Sequence, residues 1–171
     1  MPYVMVDIEA DGPIPGDYSM ISFGAVVVEP GLGRVFSAQL RPISERFAPR
    51  ALAVSGFSRE QTLRFEEPAP VMTRFAAWVQ GLGGRPIFIA DNNGFDWMFV
   101  CWYFWHFLGS NPFGHSSQNL GSFYKGLVND ASRSFKHLRR TAHTHYPVDD
   151  ARGNAEALLH MQAEMGLKIQ L

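Results

Sequence analysis

Apolar residues recur along this chain in two rhythms, and the switch between them marks out its elements. Tyr3-Val4-Met5-Val6 is a continuous apolar run reaching Ile8, short enough for a buried strand over residues 3–8. Ile21 to Glu29 (ISFGAVVVE) is β-branched and apolar and predicts a second strand. Arg34 to Leu40 (RVFSAQL) alternates and predicts a third, joined to the second by a tight Gly31-Leu32-Gly33 hairpin. From Pro68 to Leu82 the period lengthens. Val71, Met72, Phe75, Trp78, Val79 and Leu82 share one helical face, opened by proline and closed by Gly83-Gly84. Pro86 to Ala90 (PIFIA) reads as a fourth, central strand ending at Asp91.

Trp97 to Leu108, WMFVCWYFWHFL, has no polar face. A transmembrane helix needs about 20 apolar residues, so this run is too short to span a bilayer. A helix apolar all round is instead buried on several sides. Two placements fit: a core helix, or a core helix whose outer face packs on a second copy of the chain as a homodimer. A Gly/Ser/Asn/Pro loop, 109–119, follows, then short helical pieces to about Arg140 and a last helix from Asp149 to Met165. A three-stranded meander followed by helix, strand and helices predicts one α/β domain over residues 1–171, a mixed sheet flanked by helices. In such sheets the ligand crevice lies at strand ends.

Composition is that of an ordinary globular protein, and the formal charge of −1 excludes a broadly basic surface coating nucleic acid. It leaves room for a nucleic-acid enzyme, because bound metal ions bring positive charge to the site itself. A single cysteine, Cys101, excludes an intramolecular disulfide and fits a reducing compartment. The N-terminus has neither a secretory leader nor an Arg-rich transit character, so the expected location is cytoplasmic, with no membrane partner.

The chemistry lies in three places. Asp7 and Glu9 are two residues apart at the end of the first strand, so both carboxylates project from one face. Carboxylates so close repel unless protons or cations sit between them. Asp96 lies just before or inside the aromatic helix. Asp149 and Asp150 open the last helix, fed by a loop carrying His143 and His145. Each acidic residue near a helix start has a plain reading as a cap or dipole partner. Taken together, an oxygen-rich set with one histidine suits Mg²⁺ or Mn²⁺ better than zinc. Two such ions could align a water and stabilise both oxygens at phosphorus, with a histidine taking the proton. A zinc hydrolase built on His143 and His145 lacks further nearby His or Cys ligands.

In motif order, spacing and length the chain resembles the DEDDh 3′–5′ exonucleases of the ribonuclease-H-like fold, the group that includes ribonuclease T, oligoribonuclease and the polymerase proofreading subunit. Asp7-Ile8-Glu9 matches the first motif, Asn92-Asn93-Gly94-Phe95-Asp96 the second, and His145 with Asp150 the third, in its His-x4-Asp form. That spacing selects His145 over His143 and Asp150 over Asp149. The resemblance implies a mixed five-stranded sheet and two Mg²⁺ or Mn²⁺ ions held by Asp7, Glu9, Asp96 and Asp150, with His145 as general base. It further implies that Ala10, Gly12 and Asn92 lie near the 3′-terminal nucleotide, and that Phe57, in Ala51-Leu52-Ala53-Val54-Ser55-Gly56-Phe57, stacks on its base. The expected activity is release of nucleoside 5′-monophosphates from single-stranded 3′ ends, with RNA or short oligonucleotides favoured. The rival is a catalytically silent nucleic-acid-binding module on the same fold.

The chain departs from the family pattern where Ala10-Asp11 stand in place of a threonine after the glutamate, where Asp91 replaces a histidine, and where Ser55 does the same. Asp11 would either repel a phosphate or help hold a metal. The basic run Arg133 to Arg140 (RSFKHLRR) is either a phosphate contact or a solvated helix face.

Overall fold

The computed structural model describes residues 1–171. Five strands form one sheet: β1 (Tyr3–Ala10), β2 (Met20–Val27), β3 (Val35–Gln39), β4 (Ile87–Ala90) and β5 (Ser117–Asn119). Their spatial order is β3-β2-β1-β4-β5. The first three pair antiparallel, whereas β4 runs parallel to both β1 and β5. This is the mixed five-stranded α/β sheet that the resemblance implies. The fifth strand falls inside the segment expected to be loop. Ser117-Gln118-Asn119 carries no apolar signal and is held by its ladder to Phe88, Ile89 and Ala90.

Period-two alternation along β1 divides the core. Val4, Val6, Ile8 and Ala10 face α3 (Pro68–Gln80) and α4 (Asn93–Leu108). Tyr3 and Met5 face the opposite layer, α5 (Leu120–Leu127) and α6 (Pro147–Glu164). Asp7 and Glu9 continue the Tyr3–Met5 row, so the carboxylates open on the side where α6 begins. Two short helices, α1 (Pro49–Val54) and α2 (Arg59–Thr62), had no expectation from the sequence; α2 is set by a capping box between Ser58 and Gln61.

α4 begins at Asn93, four residues before the aromatic run, and ends where Gly109 adopts a left-handed φ of 64°. Phe99, Val100, Tyr103 and Phe104 are fully buried, Trp102 stacks on His106 at 4.2 Å, and Trp105 lies 5.9 Å from His115. Most of the aromatic surface is thus covered within the chain, with Trp105, 45% exposed, and His106 left at the surface. No helix is long and apolar enough to cross a membrane.

Phe75 of α3 is the hub of the first core layer. Its ring is fully buried and meets Phe23, Phe36 and Phe104 at 4.8, 5.0 and 5.4 Å. Phe75→Ala should therefore lower unfolding free energy by about 3–5 kcal/mol in a urea titration, since transfer and cavity terms add. A loss below about 1 kcal/mol would mean that the neighbouring rings collapse into the space.

Candidate active site

The crevice arises because β4 stops short. It pairs with β1 only from Tyr3 to Met5, so the next stretch of β1 has no strand on that side. The Ile8 N–H is taken up by Asp96 Oδ1 at 3.3 Å, from the first turn of α4, which brings a third carboxylate beside Asp7 and Glu9. A register shift between Glu9 and Ala10 bends β1 where the crevice opens.

The fourth carboxylate depends on a glycine. Gly24 sits opposite Asp7 in the β1–β2 register. A Cβ there would lie 2.5 Å from the Val148 nitrogen and 2.6 Å from the Pro147 carbonyl carbon. Glycine thus lets the first turn of α6 lie directly on the sheet, carrying Asp150 to the β1 carboxylates. Asp150 is 1% exposed and fully engaged. It accepts hydrogen bonds from the Thr144 N–H (3.1 Å), the His145 N–H (2.9 Å) and Arg139 Nη2 (3.0 Å), with His143 Nδ1 at 2.9 Å. Asp149, half-buried beside it, makes none of these bonds. Arg139 passes over Gly153, where a Cβ would lie 2.6 Å from its Nε.

Those bonds fold the loop before α6 so tightly that His145 takes φ 59°, a left-handed conformation that costs a non-glycine residue about 1–3 kcal/mol. The reward is its position: His145 Nδ1 lies 3.4 Å from Glu9 Oε1, and its ring is half exposed. His143 stands 4.3 Å away, edge to face. The structure thus brings Asp7, Glu9, Asp96, Asp150 and His145 into one crevice. Arg139, visible in the sequence only as one member of a basic run, joins them as the cation that holds Asp150.

Beside His145 opens a cavity of about 320 Å³ between the β2–β3 surface and the α6 approach, with Ser55, Phe57 and Tyr146 on its walls. Phe57, half-buried, rests edge-on against Phe65 at 4.9 Å and presents its remaining surface there. Asn92 is exposed at the start of α4, its carbonyl accepting from the Phe95 and Asp96 N–H groups. Ala10 and Gly12 do not line this cavity; both are buried, Gly12 under the Tyr18 ring. Asp11 is sealed from solvent, accepting from the Ser19 N–H at 2.6 Å and pairing with Arg59 at 3.0 Å.

Electrostatically the crevice is short of positive charge. Burial, then the charges of Asp96, Asp150 and Glu9, hold the Asp7 carboxyl well above the usual carboxylate range. Burial likewise raises Asp96, against the pull of the Ile8 N–H. Burial first, and Asp150 second, push Glu9 up to about 7. Asp7, Glu9 and Asp96, crowded and reluctant to lose their protons, are what a hard divalent cation relieves, so the all-oxygen set fits Mg²⁺ or Mn²⁺.

Among known proteins, no family model matches the chain. The 3′–5′ DNA exonuclease Cap18 of Escherichia coli is 41% identical over 131 residues, covering 73% of this chain and 68% of that protein. Three solved structures share the fold at 16% identity. E. coli ExoI, zinc-bound and complexed with single-stranded DNA, superposes with a TM-score of 0.74 over 95% of this chain. A 3′-exonuclease recognising a histone mRNA stem-loop gives 0.76 over 98%, and cell-death related nuclease 4 gives 0.74 over 94%. This chain spans 41%, 66% and 63% of those three chains, respectively.

Two outcomes follow from the crowded carboxylates. Glu9 ordinarily titrates at 4.5, and at about 7 when folded. Between those values the folded protein keeps a proton that the unfolded chain has released, so this group's contribution to stability falls as pH rises through the window. Without divalent cations, the melting temperature of Glu9→Gln should gain on that of the unmodified chain as pH goes from 5 to 7.5. Mg²⁺ or Mn²⁺ at pH 7.5 should raise the melting temperature of the unmodified chain; no rise in either metal would count against a cation site. Gly24→Ala should abolish that metal-induced rise by pushing α6 off the sheet, which calorimetry of metal binding would also detect.

Proposed function

The chain belongs to the DEDDh family of 3′–5′ exonucleases, and we propose that it removes nucleotides from the 3′ end of single-stranded DNA by a two-metal, histidine-assisted hydrolysis. The observation that carries this reading is the convergence of Asp7, Glu9, Asp96 and Asp150 with His145 beside a base-sized cavity. DNA is preferred to the RNA favoured by sequence alone because the E. coli relative, at 41% identity, is named as a DNA exonuclease.

Divalent ions bound at the carboxylates would polarise the phosphate and acidify the attacking water, as two-metal phosphodiesterases do. Asp7, Glu9 and Asp150 would hold one ion, and Asp7 with Asp96 the other. Glu9 also has a second task. Lying 3.4 Å from His145 Nδ1, it would favour the imidazole tautomer that leaves Nε2 free to take a proton from water. Asp150 holds the backbone of the same residue in its strained conformation, so one carboxylate serves both metal and base. The terminal base would enter the cavity and rest on Phe57. Water adds to phosphorus, the bond to the O3′ of the preceding nucleotide breaks, and that oxygen takes a proton. The products are a nucleoside 5′-monophosphate and a strand one residue shorter. A half-buried thiol, Cys101, and the absence of any need for a disulfide suit work in the cytoplasm.

The test incubates 5′-labelled single-stranded DNA and RNA with Mg²⁺ or Mn²⁺. The expected result is a ladder of 3′-shortened products, with DNA cut faster. Asp7→Asn should abolish the ladder. His145→Ala should slow it by about 10²–10⁴-fold, the usual worth of a positioned acid–base group, and His143→Ala should slow it far less. Absence of metal-dependent shortening of either strand would sink the reading; binding without cleavage would mark a silent module.

A further inference from the structure

The basic run that followed the fifth strand in sequence is not a uniform patch. Arg139 turns inward to Asp150, with its side chain 8% exposed. Arg140 points to a different cleft, shared with Arg152 and Glu156 on the α6 surface. Arg133 and Lys136 stay exposed and, with Lys125 from α5, line a cleft of about 300 Å³ that also takes in Ser134, Asn119 and Asp91. Arg133 has one weak exposed partner, Asp130 at 3.4 Å, and neither lysine is in an ion pair. In a chain of net charge −1, three cations gathered on one cleft are a local feature with a local cause.

The position of this cleft gives it meaning. Asp91 follows the last residue of β4 and Asn119 ends β5, so the cleft lies along the same sheet edge as the carboxylates. At about 4.8 Å per strand it starts roughly 5–10 Å from the β1 carboxylates. The Phe57 cavity lies on the other side of β1, against β2 and β3. A strand crossing the edge would thus pass the basic cleft, the metal-binding crevice and the apolar cavity in turn.

We propose that the Lys125–Arg133–Lys136 cleft binds the phosphates upstream of the scissile bond, so that the substrate lies with its 5′ side over β4–β5 and its 3′ base over β2–β3. The proposal rests on the exonuclease reading for its direction, and on the cleft alone for binding. Cations there hold the backbone without reading its sequence, which suits an enzyme stepping along a strand of changing sequence. They also confer salt dependence, because each phosphate neutralised releases a counterion.

The test compares the unmodified protein with the Lys125→Ala/Arg133→Ala/Lys136→Ala variant and with Arg140→Ala, whose cation lies in the same run but outside the cleft. All four side chains are exposed, so circular dichroism and melting temperature should be unchanged. Binding of a fluorescent single-stranded 12-mer in EDTA, without cleavage, should weaken about tenfold or more in the triple variant, with a salt slope shallower by about two. Arg140→Ala should bind as the unmodified protein does. In Mg²⁺, KM for the 12-mer should rise by a similar factor at unchanged kcat. Turnover of dTpdT, whose only phosphate is the scissile one, should stay within about twofold. Unchanged 12-mer binding, or an equal loss on 12-mer and dTpdT, would overturn the cleft. An unmodified protein that binds the 12-mer through these cations but never shortens it would leave the cleft standing and reject the exonuclease reading.

Discussion

Four carboxylates packed into one half-buried crevice repel one another, and the rest of the site is arranged around that repulsion. Desolvation is the largest cost at Asp7, Glu9 and Asp96, and mutual charge adds to it. A fold evolving for stability alone would not collect acids at the end of its central strand. The counterweights within the chain are the Ile8 N–H for Asp96 and, for Asp150, the Arg139 guanidinium, the Thr144 and His145 N–H groups and His143. What remains is uncompensated negative charge of the kind a hard divalent cation relieves.

The backbone around the crevice is shaped to keep that arrangement rigid. Gly24 and Gly153 each remove a Cβ that would strike backbone or guanidinium at under 3 Å, one seating α6 on the sheet and the other admitting Arg139. Asp150 then draws in the loop before α6 through the Thr144 and His145 amides, and His145 bears the strain in its left-handed φ. Such strain persists only where surrounding contacts over-determine it. Here they do, and a single helix turn supplies the acid, the loop anchor and the placement of the imidazole.

Much of this was legible in the sequence for a physical reason: alternation along Tyr3–Glu9 fixes which side chains share a face before any tertiary contact is known. The aromatic helix and α3 were legible by period as well. β5 was not, because Ser117-Gln118-Asn119 is polar and owes its conformation to β4. α4 was placed to start late because its first turn, Asn93-Gly94-Phe95-Asp96, is mostly polar. Spacing singles out His145 over His143 but does not reveal that both rings crowd the acids: His143 meets Asp150, and His145 meets Glu9. The partners of Arg139 were hidden for a similar reason, with a basic run looking alike whether its cations face water or a buried carboxylate.

Asp11 shows how a backbone irregularity redirects a side chain. By period two it would share the face of Asp7 and Glu9. The register shift after Glu9 breaks the alternation, and Asp11 turns into the packed interior against Ser19 and Arg59. Its own carbonyl accepts the Ala48 N–H, so the end of β1 is tied at two points to the segment leading into α1 and α2. A buried ion pair of this kind returns little net stability over a well-packed apolar pair, because both charges must be desolvated. Its value here is register. The same segment carries Phe57, nine residues from the Ala48 tie and two from Arg59, to the wall of the cavity beside His145. The departure from the family pattern at Ala10-Asp11 thus leaves the four crevice carboxylates untouched and acts on the segment that carries Phe57 to the cavity wall.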